Sequence, residues 1–267
     1  MMTTTITSTT GERVGSARRL PAPVHYLLHS VRLTLRSTGF VIFSLITPLV
    51  LYVVFSRVFG SQEIESGVTW AAVYMASMAA YGSLGAAMGG GAQLATERRS
   101  GWFRQLSVTT LRPRAFLLAK AGVVLLMVLP ALILVFIAGY VVGGVRAPLS
   151  AWSAALAMMW LSLIPLTILG VAIGLWVKPE TVPGLNTLIL LVISLLGGLW
   201  FPAQMMPAAM QRVAELMPSY WVAEFGRHPF IGGPFPWHGV LVMAGWTAVL
   251  SLIGVLGYRR AAATSKR

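Results

Sequence analysis

Long apolar runs separated by short polar stretches dominate the chain, and this pattern sets its architecture first. The runs cover approximately residues 38–59, 69–95, 115–143, 149–177, 182–201 and 238–258. A helix rises about 1.5 Å per residue, so a run of about twenty residues matches the roughly 30 Å hydrocarbon core of a bilayer. The pattern therefore predicts an all-α membrane protein with six transmembrane helices. The third and fourth runs are long enough to tilt or protrude. Pro48, Pro130 and Pro165 fall inside runs; kinks are expected there, because neighbouring segments can satisfy the carbonyls that proline frees. A β-barrel is excluded, since its strands alternate apolar and polar positions over about ten residues.

Composition agrees that the solvent is lipid. Hydrophobic residues make up 57% of the chain and charged residues 10%, whereas about a quarter of an ordinary globular domain is charged. A net charge of +13 would suit a nucleic-acid partner, yet the basic residues gather on one side of the spans. With the N-terminus inside, the inner segments carry sixteen Lys and Arg residues against Glu12, Glu97 and Glu180. The outer segments carry Arg57, Arg146, Arg212 and Arg227 against Glu63, Glu65, Glu215 and Glu224. This asymmetry places both termini in the cytoplasm and requires an even number of crossings. No nucleic-acid partner is expected. Trp70, Trp152, Trp200 and Trp237 fall at predicted outer ends and Trp176 at an inner end, where amphipathic rings anchor helices. Cysteine and aspartate are absent, which excludes disulfides, thiolate metal sites and cysteine nucleophiles.

Residues 1–23 form a polar, disordered tail by composition, with no apolar core of a signal peptide, and 261–267 read as a short cytoplasmic tail. Between the first tail and the first run, residues 24–37 have helical periodicity. Val24, Leu27, Leu28, Val31 and Leu35 share one face, while His25, His29, Arg32 and Arg36 share the other. A basic amphipathic helix lying in the inner interface fits this pattern; an extension of the first membrane helix is the alternative. His25 and His29 have no visible third ligand for a metal.

The loop at 96–114, TERRSGWFRQLSVTTLRPR within it, is polar and basic but displays Trp102, Phe103 and Leu106 at helical spacing. A hydrated loop gains nothing from such side chains. They either rest on the membrane interface or dock into another protein, where aromatic anchors framed by arginine are favoured.

Glu97-Arg98-Arg99-Ser100-Gly101, with Arg104, Leu106 and the TTLRP stretch beyond, resembles the Glu-Arg-x-x-Gly loop of ABC-2-type permeases, the membrane components of bacterial ATP-binding-cassette exporters. Residues 201–227, bracketed by Pro202, Pro207 and Pro218 and carrying Glu215, resemble the outer re-entrant helical hairpin between the last two spans of that family. The family loop commonly has proline where this chain has Thr109 or Thr110. The resemblance implies a transmembrane domain over 24–260 that pairs with a second permease copy or a paralogue. It also implies a separate ATPase subunit, contacted by the 96–114 loop and by the interfacial helix.

The chain has no phosphate-binding Gly-x-x-x-x-Gly-Lys-Ser/Thr loop, so it is expected to be neither an ATPase nor another enzyme and to bind no cofactor. ATP and Mg would be used by the partner. Gly89-Gly90-Gly91, Gly85/Gly89, Gly139/Gly143 and Gly170/Gly174 suit close helix approach. Gly82-Ser83-Leu84-Gly85 lacks the glycine spacing of a hydrolase elbow. The expected function is ATP-driven export of a hydrophobic or amphiphilic small molecule, such as a drug, antibiotic or lipid-like metabolite, across the bacterial cytoplasmic membrane. An ion-gradient-driven secondary transporter is the alternative, disfavoured because no glutamate lies mid-span. Glu215 and Glu224 are expected to face water rather than pair with Arg212 or Arg227.

Overall fold

The computed structural model of the chain describes residues 41–60, 68–99 and 113–264. Leu27, Leu28, Val31, Arg32, Leu35 and Arg36, expected on an interfacial helix, lie outside these, as do Gly101, Trp102, Phe103, Arg104 and Leu106. The first described element starts with a π-helical turn, Val41–Ile46, and continues as α1, Thr47–Phe59. Pro48 lies two residues past the end of the π turn, where a proline that cannot donate to the preceding turn interrupts the hydrogen-bond ladder. Then follow α2 (Trp70–Arg99), α3 (Pro113–Val141), α4 (Leu149–Ser162) and α5 (Ile164–Trp176). After them come α6 (Val182–Leu196), α7 (Ala208–Leu216), α8 (Pro218–Ile231) and α9 (Trp237–Thr264).

Among the described residues, three segments are long and apolar enough to cross a membrane by themselves: Lys120–Val141, Leu149–Trp176 and Trp237–Arg260. Ser44–Phe59 and Val182–Leu196 are shorter apolar helices. The kink expected at Pro165 is present: Leu163 ends α4 and begins α5. Pro130 leaves α3 unbroken from Pro113 to Val141. The run expected to continue to residue 201 ends as a helix at Leu196. Gly198, at φ 67°, turns the chain there, and the Leu199 N–H closes the helix end on the Ser194 carbonyl.

The core is built around α2, which touches α1, α3, α5, α6 and α8. Residues 71–88 are all buried. A helix covered on every side needs small residues more than apolar ones, and α2 is accordingly rich in alanine and glycine. Along α3 it runs antiparallel: Met75 lies against Gly139, Gly90 against Val124, and Glu97 meets Lys120. Along α5 it runs parallel, with Gly91 between Gly170 and Gly174. A side chain at Gly91 would collide with the Gly170 carbonyl, and one at Gly170 would collide with that of Ala87. The glycine-mediated approach expected at 89–91, 139/143 and 170/174 is therefore real for Gly90, Gly91, Gly139, Gly170 and Gly174, while Gly143 makes room for the Tyr52 ring.

Large apolar side chains remain on the outside, among them Val50, Val54, Ile133, Ile137, Leu188, Leu195, Leu241 and Leu252. In water such a surface would aggregate; in lipid it is the ordinary exterior.

Candidate functional site

Two regions carry polar architecture that span formation does not need. The first is where the C-terminal end of α2 meets the N-terminal part of α3. Glu97 sits in the last turn of α2, two residues before its end at Arg99. Carbonyls at a helix C-terminus present partial negative charge, so a carboxylate there is unfavourable unless a cation answers it, whereas Arg98 and Arg99 are favourable. Lys120 answers it. Its Nζ donates to Glu97 Oε1 at 2.6 Å and Oε2 at 2.8 Å, and the lysine side chain is 5% exposed against 24% for the glutamate. Lys120 is also the residue at which the apolar span of α3 begins. Its side chain is buried at this edge, with the ammonium on Glu97. The backbones of Arg98 and Arg99 close α2, and the rest of the motif follows in the segment 100–112.

Just above, the Asn186 Nδ2 of α6 donates to the Met88 carbonyl of α2 at 2.8 Å. Asn186 is buried, so α6 is tied to α2 beside the glycine run. The C-terminal end of α5 is tied to α9 in turn: the Trp176 indole donates to the Ile253 carbonyl at 3.0 Å, and the Arg260 guanidinium lies 5.3 Å from its ring centre.

The second region is segment 201–227. Pro202 and Pro218 are buried, while Pro207 and Glu215 are exposed. Indole donors from two different helices hold the end of α7: Trp221 Nε1 bonds the Glu215 carbonyl at 2.6 Å, and Trp246 Nε1 bonds the Leu216 carbonyl at 2.8 Å. These satisfy carbonyls left open at a helix C-terminus. Ser219, at the start of α8, donates to the Ile193 carbonyl of α6 at 2.7 Å. Farther along α8, Gly226 fits against Met159 of α4 and Ala76 of α2, and Phe230 packs edge-on against Trp152 at 5.1 Å.

The expectation that Glu224 faces water is corrected here. Glu224 accepts a hydrogen bond from Arg227 one turn later, and Arg227 is 3% exposed. A guanidinium buried to that degree cannot remain without a counter-charge. The reason it is buried is that α8 packs against α2 and α4 instead of lying free on the surface. Burial, with Glu224 next in importance, raises the Tyr220 phenol above its ordinary range, against a lowering by Arg227.

Sequence reasoning named Glu97 but not its partner. The available signal was an isolated lysine at the edge of an apolar run, four residues after which come Val124 and the rest of an uncharged span. Trp221 and Trp246 had no comparable signal, because which carbonyl an indole meets is decided by packing alone.

Comparison with known proteins agrees with the resemblance. A protein of Bacillus subtilis (strain 168) named as a transport permease, YvfS, is 27% identical over 221 residues, covering 82% of this chain and 89% of that protein. The family model described as "ABC-2 type transporter" matches residues 26–230, a stretch that runs from the amphipathic segment through Glu97 and segment 201–227 to the end of α8. This chain belongs to the ABC-2 type transporter family.

Proposed function

We propose that this chain is the permease subunit of an ATP-driven exporter that moves hydrophobic or amphiphilic small molecules out across the bacterial cytoplasmic membrane. As a family member it is a membrane transport component that works with an ATPase partner. The observation that carries the reading is the placing of Glu97. It stands at the inner end of α2, the helix that α1, α3, α5, α6 and α8 all touch, and it is clamped there by Lys120. Displacement of the 100–112 segment by an ATPase is thereby delivered to the helix on which most of the others pack. Closure of the ATPase shifts the population between inward- and outward-open arrangements, which is how nucleotide energy does transport work.

In this reading α1, α2, α3, the kinked pair α4–α5, α6 and α9 are the six crossings, with both termini inside, and two permease chains form the pathway. Segment 201–227 dips into the outer leaflet. Two features support that. α6, with 15 residues, is about 22 Å long and falls short of the hydrocarbon thickness. The α7 end is bonded to Trp246, nine residues into α9, about 13 Å along that helix. Apolar walls with no glutamate among the described mid-span positions suit an apolar cargo.

The test uses inside-out vesicles containing the chain and the ATPase subunit recovered with it from its own membrane. A lipophilic fluorescent dye should accumulate only with hydrolysable ATP and Mg. Accumulation that needs a proton gradient and ignores ATP would overturn the proposal.

A further inference from the structure

Along the α2–α3 hairpin the contacts change character toward the cytoplasm. Met75 against Gly139 and Gly90 against Val124 are close apolar contacts that fix the helices over most of their length. The Gly90 contact belongs to the run Gly89-Gly90-Gly91, where α2 also packs on α5 through Gly170 and Gly174. Leu94 still reaches α5 at Gly174, and the turn that carries Glu97 lies beyond that contact. What ties that turn to α3 is the pair of hydrogen bonds from Lys120 to Glu97, across 23 positions of sequence. That pair closes the base of the 100–112 segment.

We infer that Lys120 is a positioning residue for coupling: it holds the Glu97 carboxylate so that the inner ends of α2 and α3 move as one body when the 100–112 segment is displaced. Part of this rests on the exporter reading above, but the geometric part does not. Glu97 then works within the chain, as the anchor of the motif. Lysine suits the task because its side chain is buried at the span edge with the ammonium on the carboxylate. Because Lys120 is the more buried partner, neutralising Lys120 leaves a carboxylate that water can reach, while neutralising Glu97 alone leaves a buried ammonium. Lys120→Gln is therefore the milder probe.

The absence of cysteine allows a direct measurement. Nitroxide labels are attached at Thr96→Cys, which is exposed, and Gly122→Cys, where an added side chain meets nothing within 4 Å. Dipolar broadening in membranes should report one narrow separation in the parent chain, unchanged when the ATPase is trapped in its closed state. Lys120→Gln should spread the distribution, and Lys120→Arg should restore it. In the coupled complex, Lys120→Gln should keep ATPase association and hydrolysis while dye transported per ATP falls several-fold, again rescued by arginine. The double variant Glu97→Gln/Lys120→Met leaves no buried charge alone and guards against misfolding; it should show the same broadening. A parent-like distance in Lys120→Gln or in the double variant would overturn the inference. If no ATPase partner exists, the transport arm fails while the distance arm still reads out, so the two proposals fail separately.

Discussion

Leu216 and Trp246 are 30 residues apart in the chain, yet the indole N–H of Trp246 closes on the Leu216 carbonyl at 2.8 Å. The bond joins the end of α7 to the interior length of α9, so segment 201–227 is fastened to α9 here as it is to α6 through Ser219. Trp246→Phe keeps the ring and removes the donor. The bond is exposed, so its loss costs the net value of a hydrogen bond, about 0.5–1.5 kcal/mol. Thiol-reagent labelling of an introduced Met217→Cys should then accelerate by about twofold to tenfold. An unchanged rate would show that the bond does not hold the segment in place.

Gly91 and Gly170 meet through backbone atoms, and alanine at either one has no space. Overpacking of this kind costs about 1–3 kcal/mol. Gly91→Ala and Gly170→Ala should each lower the thermal midpoint of the detergent-solubilised protein. Gly122→Ala, in open space, should be neutral or raise it, because glycine in a helix is worse than alanine by up to about 1 kcal/mol. Equal effects at all three positions would contradict the packing account.

Tyr220 carries a pH signature. Burial first, then Glu224, raises its phenol from the ordinary 10.0, with Arg227 opposing. The unfolded chain therefore ionises before the folded one. Its contribution to stability is complete below the ordinary value and is lost as pH climbs toward the raised value. Tyr220→Phe should remove that alkaline decline. Unfolding of the two proteins, followed by tryptophan fluorescence at about pH 9 and about pH 11, should differ only at the higher pH; identical curves would discount Tyr220.

Trp102 and Phe103 belong to the segment 100–112, and the aromatic pair is expected to anchor the ATPase. Truncating hot-spot aromatics costs roughly 2 kcal/mol or more each. Trp102→Ala/Phe103→Ala should insert normally yet lose ATPase on co-purification, whereas Arg104→Ala should be milder and salt-sensitive. Normal ATPase recovery with the double variant would instead place the pair on the lipid interface. The same loop serves as an orientation marker: in intact cells an impermeant thiol reagent should modify Ile64→Cys and leave Ser100→Cys untouched.

Much of the fold could be read from apolar run length, because span length is imposed by the bilayer and not by the rest of the chain. The Pro165 break was equally local in origin, since proline acts on its own turn. Other features were not legible. The early stop of α6 at Leu196 is decided by Gly198 and by the space that α7 and α8 fill, neither of which periodicity reports. Arg227 was misjudged for a related reason: its neighbours in sequence are mixed, and only the packing of α8 on α2 and α4 buries it. For the candidate site, the Glu97 motif stood out through its pattern, while Lys120 needed the antiparallel register of α2 and α3 to bring the two together.

The enclosure of α2 has a consequence for how the protein is made. Its alanine- and glycine-rich surface offers lipid little, and it is not among the segments apolar enough to cross alone. During synthesis it emerges before α3, α5 and α8, the helices that later cover it. Biogenesis is consequently expected to be ordered, with α2 settling in the bilayer only when the later helices close around it. Substitutions that slow that closure should lower the amount of protein in the membrane before they alter anything it does there.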